Sequence, residues 1–452
     1  MSDAMRAAIR SMMPRARDEL AEFVALRSVH DPRQFPPEEC RRAADWVAAK
    51  VTGAGLTGAT LHDTPDGSKA VVAARPGPPG APTVLLYCHY DVQPPLDESA
   101  WATPPFTLTE RGGRWYGRGA ADCKGNVLAH LLALRALGGD VPVGVTFVAE
   151  GSEEQGTGGL EELVKADPDL LRADAILVCD SGNAEVGLPT FTTSLRGNVN
   201  LVVGVRTLET EVHSGMFGGA APDALAALVR MLASLRDANG DTTITGLPAG
   251  ETWTGVDYPA DRFRADAGVL DGVDLLGTGS VADTLWARPA VTVLGIDCPP
   301  VVGSSAAVQP RARARINLRV PPGMDPTQAQ DALIAHLESV APWNARVSFE
   351  REAVGSPFVG STSGPAYETL TDALSTAYGT EVAIQGQGGS IPLCNVLQET
   401  FPDAEIMLFG VEEPQCLIHA PNESVAPGEI ERIALAEAIF LRDYAARAAR
   451  KG

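Results

Sequence analysis

Four apolar runs in the outer parts of the chain each lead directly into acid or imidazole groups, and few folds can accommodate that arrangement. Val84–Cys88 leads into His89 and Asp91, and Val145–Ala149 into Glu150, Glu153 and Glu154. Ile176–Cys179 leads into Asp180, and Ile406–Val411 precedes His419 by a short loop. Continuous apolar runs of this length, separated by helical patterns, predict strands of a mostly parallel sheet covered on both faces. Polar groups at the ends of such strands lie outside the core. They share the region beyond the strand ends where open α/β sheets bind ligands. Residues i and i+2 of a strand point the same way, so His89 and Asp91 can converge on one object.

The remaining pattern completes this picture. Residues 16–27 and 37–52 predict amphipathic helices, the second ending at Gly53. Residues 70–91 predict a hairpin around the Gly/Pro-rich stretch PGPPGAP, and KGNVLAHLLALRAL and GLEELVKA predict helices. Near residue 190 the texture changes. SLRGNVNLVVGVRT predicts a strand and PDALAALVRMLASLR a helix, followed by a polar, Gly-rich passage to about residue 288. The strands AVTVLGID and RARARINLRV, the helix DPTQAQDALIAHLESV and the strand ARVSFERE then give the order βαββαβ, a ferredoxin-like arrangement. The expectation is an α/β domain of residues 1–189 and 356–452, interrupted by an α+β lid or dimerisation domain of residues 190–355. A chain of 452 residues exceeds the usual span of a single core, which agrees.

Composition narrows the function. The formal charge of −21 argues against nucleic acid as a partner. No run reaches the roughly 18 apolar residues of a membrane span. The N-terminal segment lacks the apolar centre of a signal peptide, so a cytoplasmic protein is expected. The seven cysteines form no CxxC pair, which suggests neither a disulfide framework nor a thiolate zinc site.

Carboxylates gathered in one place raise each other's pKa unless a cation sits between them. A mixed His/Asp/Glu set is zinc chemistry, with manganese or cobalt as substitutes. Asp122, in GRGAADCKGN, adds a further carboxylate just before a helix, where it could alternatively serve as an N-cap. Two imidazoles and three carboxylates exceed the needs of one tetrahedral ion. They favour two ions roughly 3.5–4 Å apart acting on a bridging water. His30, His62, His130 and His336 lack acidic companions at ligand spacing and receive no role. The chain has no GxSxG elbow and no HExxH helix. Cys88 and His89 are adjacent on a strand and point to opposite faces, a poor geometry for a thiol hydrolase.

Taken in order from residue 85 to about 425, the motifs HYDVQP, GRGAADCKGN, EGSEEQGTGG, CDSG, HSGMFGG, GGSIP and HAPNE resemble the M20 family of metallopeptidases. The similarity is greatest to its carnosinase-like and dipeptidase V-like branch. The resemblance implies that His89 and Asp180 hold one zinc and Glu154 and His419 the other, with Asp122 bridging them through a cis peptide to Cys123. Asp91 would orient the His89 ring, and Glu153 would be the general base. His213 would stabilise the oxyanion, reaching in from a second subunit. Arg319 would grip the substrate's terminal carboxylate, with Gly388, Gly389 and Ser390 completing that pocket. A homodimer whose smaller domain closes over the substrate is implied too. One departure stands out: Gly386-Gln387 occupies the place where carnosinases carry Arg-Glu, which puts carnosine itself in doubt as substrate.

The expected function is therefore a di-metal dipeptidase cleaving an amide next to a free C-terminal carboxylate. An amidohydrolase of N-acyl or N-carbamoyl amino acids would use the same chemistry. A non-catalytic metal-dependent binding protein would need the ligands but no base, and Glu153 argues against it.

Overall fold

The computed structural model describes residues 2–139 and 141–450. The principal strands are β1 (Thr57–Asp63), β2 (Lys69–Arg75), β3 (Thr83–His89), β4 (Gly144–Glu150), β5 (Ala175–Cys179) and β6 (Thr190–Leu195), then β7 (Gly197–Arg206), β8 (Ala290–Asp297), β9 (Arg311–Val320), β10 (Arg346–Gly355) and β11 (Glu405–Phe409). The main helices are α1 (Ser2–Val24), α2 (Pro37–Gly53), α3 (Lys124–Leu137), α4 (Ala224–Ala233), α5 (Pro326–Ser339), α6 (Pro365–Tyr378) and α7 (Pro427–Ala448). They build two compact units. The outer one comprises Met1–Thr193, Gly360–Gln385 and Pro392–Gly452, and the inserted one Ser194–Val359 and Gly386–Ile391. The short segment Gly386–Ile391 thus groups with the insertion and not with the outer part expected from residues 356–452.

In the outer unit the strands run in the order β1-β2-β4-β3-β5-β11-β6. The pairs β3–β4, β3–β5 and β5–β11 are parallel, which makes the centre of this mixed sheet parallel. Register matters here: His89 lies beside Glu150, and Phe409 beside Cys179. The strands end level, so the polar residues that follow them emerge side by side. Leu86, Phe147, Leu177 and Met407 pack in one core with Leu20 and Phe23 of α1, Val127 and Leu131 of α3, and Ile433 and Phe440 of α7.

Two expectations need correction. Residues 70–91 do not form a hairpin, because β2 and β3 both pair with β4, which lies between them. The linker crosses the start of β4 so closely that a Cβ on Gly77 would sit 2.3 Å from the Gly144 nitrogen. Strands adjacent in sequence are not adjacent in this sheet, because β4 pairs with both. The first helix begins at Ser2 rather than near residue 16 and carries Pro14 inside it.

The inserted unit follows β7-α4-β8-β9-α5-β10, and its antiparallel strands are ordered β8-β9-β7-β10. Leu228 and Met231 of α4 and Leu333 and Leu337 of α5 cover the face bearing Val199, Leu201, Ile316 and Leu318. The opposite face is polar. On it Asn317 Nδ2 donates to Asn198 Oδ1 at 2.5 Å and Asn200 Oδ1 at 2.8 Å. Residues 194–207, expected as one strand, are divided between β6 and β7 at Arg196. The Gly-rich passage before residue 288 contains a short helix, Ala260–Asp266, and an aromatic cluster of Trp253, Tyr258 and Trp286.

Candidate metal centre

His89 closes β3 and is buried. Its Nε2 lies 2.9 Å from Asp122 Oδ1 and 3.1 Å from Asp180 Oδ1. The other Asp122 oxygen, Oδ2, lies 2.9 Å from His419 Nε2, which is 3.1 Å from Glu154 Oε2. One carboxylate therefore stands between two imidazoles, and the Nε2 of each also meets a further acid. The ligand atoms of Asp122, Glu154 and His419 lie within 4.8 Å of one another, as do those of Asp122, Asp180 and Glu412 and those of His89, Cys123 and Asp180. The Asp122–Cys123 peptide is cis.

Two buried carboxylates hold this arrangement from behind. Asp91 Oδ1 is 3.3 Å from His89 Nδ1, while its two oxygens accept from the backbone nitrogens of Glu153 at 3.2 Å and Glu154 at 3.0 Å. Its carboxylate thereby fixes the turn carrying both glutamates, while His89 Nδ1 makes its hydrogen bond to the Asp91 backbone carbonyl at 3.1 Å. Glu423 accepts from Arg118 Nη1 at 2.7 Å and from the backbone nitrogens of Gly119, Ala121 and Asp122 at 2.9, 3.1 and 3.2 Å. That cradle sets the loop from which Asp122 projects. Glu154 is itself steadied by Gln93, whose backbone nitrogen and Nε2 donate at 3.1 and 2.9 Å.

Electrostatics then ask for a cation. Burial, reinforced by the Asp180 charge, pushes Glu153 well above the usual carboxylate range. Burial together with Asp122 raises Glu154 to about 7. Burial also raises Asp180, against the pull of His89, and it raises Glu412, where Asp122 and Asp180 add to it. For Asp122, burial is outweighed by hydrogen bonds from His419 and His89, and its carboxyl stays low. The carboxylates of Asp122, Glu154, Asp180 and Glu412, facing two imidazoles, leave an excess of negative charge. Divalent ions relieve it, and the nitrogen and oxygen donors suit zinc or manganese.

Glu412 was missed in the sequence although it follows the apolar run Ile406–Val411 as Asp180 follows Ile176–Cys179; the same rule finds it. Glu150, noted there, accepts instead from Tyr87 Oη at 3.0 Å and belongs to none of these ligand groups. His130, read as lacking an acidic companion, has one: its Nδ1 lies 2.6 Å from Glu437 Oε2, a residue 307 positions away. His213, Arg319, Gly388, Gly389 and Ser390 all belong to the inserted unit. His213 is exposed, and its Nδ1 accepts from the Gly215 nitrogen at 3.1 Å. Arg319 is partly buried on β9, opposite Asn198.

Comparison with known proteins adds an independent line. Residues 85–442 match the model of peptidase family M20/M25/M40. The chain is 46% identical over 433 residues to a cysteinylglycine-S-conjugate dipeptidase of Corynebacterium striatum, covering 94% of both chains. It is 31% identical over 446 residues to a Beta-Ala-His dipeptidase of Rattus norvegicus, covering 91% of this chain and 85% of that one. The crystal structure of human carnosine dipeptidase 1 superposes with a TM-score of 0.81 at 26% identity, over 98% of both chains.

Proposed function

Since the chain belongs to the M20/M25/M40 peptidase family, we propose that it is a dipeptidase using two divalent cations to cleave an amide next to a free C-terminal carboxylate. The observation that carries this reading is the Asp122 carboxylate, with one oxygen at His89 and the other at His419. His89 and Asp180 would hold one ion, Glu154 and His419 the other, and Asp122 both. Zinc is the first choice, with manganese or cobalt as substitutes. When bound, such ions polarise a carbonyl and bring the pKa of a water to about 7.

The protein's own groups do the rest. Glu153 stands in the turn clamped by Asp91, where burial raises its proton affinity. That suits a general base which takes the water's proton and returns it to the leaving amine. His213 stabilises the oxyanion. Arg319, with the backbone and hydroxyl of Gly388, Gly389 and Ser390, takes the terminal carboxylate. Gln387, where an acid was expected for a carnosinase, turns the substrate preference away from carnosine and toward dipeptides such as the cysteinylglycine conjugates of the Corynebacterium relative's name.

A homodimer fits the inserted unit. Strand β8 lies at the edge of its sheet and exposes Val293, Leu294 and Ile296. An exposed apolar edge is a template for pairing with a second copy. The buried free thiols of Cys40, Cys88, Cys123, Cys179, Cys394 and Cys416 suit a reducing, cytoplasmic setting.

The test is a hydrolysis screen of dipeptides against N-acyl and N-carbamoyl amino acids, after chelation and readdition of each metal. Dipeptide cleavage that vanishes on chelation and returns with zinc, manganese or cobalt is expected. Full activity without metal, or cleavage of N-acyl substrates alone, overturns the reading.

A further inference from the structure

Glu412 follows β11 by a short turn and is only 6% exposed. The one donor its carboxylate meets among the described residues is Asn126 Nδ2, at 3.2 Å. Its neighbour Glu413, also buried, has a cation of its own in Arg114. Glu412 has acids instead: one of its oxygens, one of Asp122 and one of Asp180 lie within 4.8 Å of one another. A buried charge is ordinarily paired or coordinates a metal. Asn126 does not account for the charge, since a neutral amide oxygen at position 412 would accept from it equally well.

The backbone holds the carboxylate in this place. Asn126 Oδ1 accepts from the Val411 nitrogen at 2.9 Å, and the Glu412 carbonyl accepts from the Asn183 nitrogen at 2.8 Å. A Cβ on Gly182 would sit 2.1 Å from that carbonyl oxygen, so the turn after Asp180 lies directly against the segment bearing Glu412. Asn126 is in the first turn of α3, just beyond Asp122. Glu412 is thereby tied to both segments that carry the other two acids. Cys123 Sγ also lies within 4.8 Å of His89 and Asp180, but it donates to the Cys179 carbonyl at 3.0 Å.

The two halves of the centre then differ in chemistry. On the Asp180 side stand the His89 imidazole and the carboxylates of Asp122, Asp180 and Glu412. On the other side stand the His419 imidazole and the carboxylates of Asp122 and Glu154. An added negative charge strengthens the hold on a divalent ion. A set richer in carboxylate oxygen favours manganese over zinc. We propose that Glu412 is a further residue of the metal centre, making the Asp180 side the tighter and more manganese-selective of two unequal cation positions. The proposal rests on the two-cation reading.

Manganese and zinc titrations of the metal-free protein test it without an assay of turnover, by calorimetry and, for manganese, by electron paramagnetic resonance. The parent should bind two ions in two classes of affinity. Glu412→Gln should weaken the tighter manganese class by about tenfold or more and the other class by less than about threefold, with a smaller loss for zinc. The metal-free variant's thermal midpoint should equal or exceed the parent's, because one of three crowded acids has lost its charge. The rise in midpoint on adding manganese should shrink. Glu412→Asp withdraws the acid by one methylene and should show the same selective loss to a lesser degree; it serves if the first variant fails to fold. Two ions bound with the parent's affinities overturn the proposal. So does a lowered metal-free midpoint with an unchanged manganese-induced rise, the mark of a merely structural acid. A parent that binds a single ion refutes the two-cation reading separately. Glu412 then belongs to the centre if that ion loosens by about tenfold in Glu412→Gln, and equal binding excludes it.

Discussion

Arg118 and Glu423 are 305 residues apart in sequence, yet Nη1 and Oε2 meet at 2.7 Å with both side chains 1% exposed. The same carboxylate receives three backbone N–H groups from the loop bearing Asp122. Glu423→Gln removes the charge while leaving the volume, and strands the Arg118 guanidinium in the interior. Breaking a buried pair in this way costs about 3–5 kcal/mol. Chemical denaturation should show that loss, and metal analysis should show weaker retention because Asp122 is no longer fixed. A variant with the parent's midpoint and full metal content would mean that the cradle is dispensable.

Glu153 is absent from each of the close ligand groups around Asp122, whereas the adjacent Glu154 is part of one. Replacing Glu153 by Gln should therefore leave metal content unchanged while kcat falls by a factor of roughly 10² or more, the usual range for loss of a general base. Metal analysis and initial rates on the same preparation separate the two effects. A near-normal rate assigns the proton transfer to another group.

His130 and Glu437 tie α3 to α7 behind the strand that carries His89. Both ring nitrogens face acceptors, Glu437 Oε2 at 2.6 Å and the Tyr87 carbonyl at 3.3 Å, as an imidazolium requires. Burial opposes that charge, but the Glu437 carboxylate outweighs it and holds the pKa well above 6.5. A raised histidine pKa contributes stability that is fully present below the unfolded value and fades as pH climbs toward the folded one. The stability difference between parent and His130→Gln should therefore shrink above about pH 6.5, by up to about 1.4 kcal/mol per pH unit. Denaturation curves at about pH 6 and about pH 8.5 measure it. A difference that stays constant or grows with pH would show that the ring is neutral.

Much of this was legible in the chain because strand ends are. Parallel strands in level register carry whatever follows them to one place, so His89, Glu154 and Asp180 could be grouped from apolar runs alone. Periodicity likewise marked the βαββαβ order of the insertion. Contacts between distant segments left no such trace. Glu437 sits on a helix whose pattern reads as ordinary amphipathicity, and nothing near His130 points to it. Glu423 was visible inside HAPNE, but its grip on the Asp122 loop depends on a turn that periodicity does not describe. The supposed hairpin failed for a related reason: β4, which separates β2 from β3, comes more than fifty residues later in the chain.

Val293, Leu294 and Ile296 on the edge strand β8 offer the last test. Their relative exposures of 40, 51 and 41% are high for such residues, and β9 is the only strand paired with β8 among the described residues. Pairing with a second copy would satisfy the free ladder and cover these side chains together. Lysine on an edge strand blocks such pairing through charge and hydration. Leu294→Lys combined with Ile296→Lys should convert a dimer into a monomer in light scattering at micromolar concentration, with the fold and metal content retained, since the ligand groups lie in the outer unit. If His213 acts from the partner chain, the monomer should also lose turnover while keeping its metal. Recovery of activity on mixing it with a His213→Ala chain that dimerises normally is not expected, because the lysines block the new pair too. A parent protein that is already monomeric, or a double variant that stays dimeric, would place the contact elsewhere.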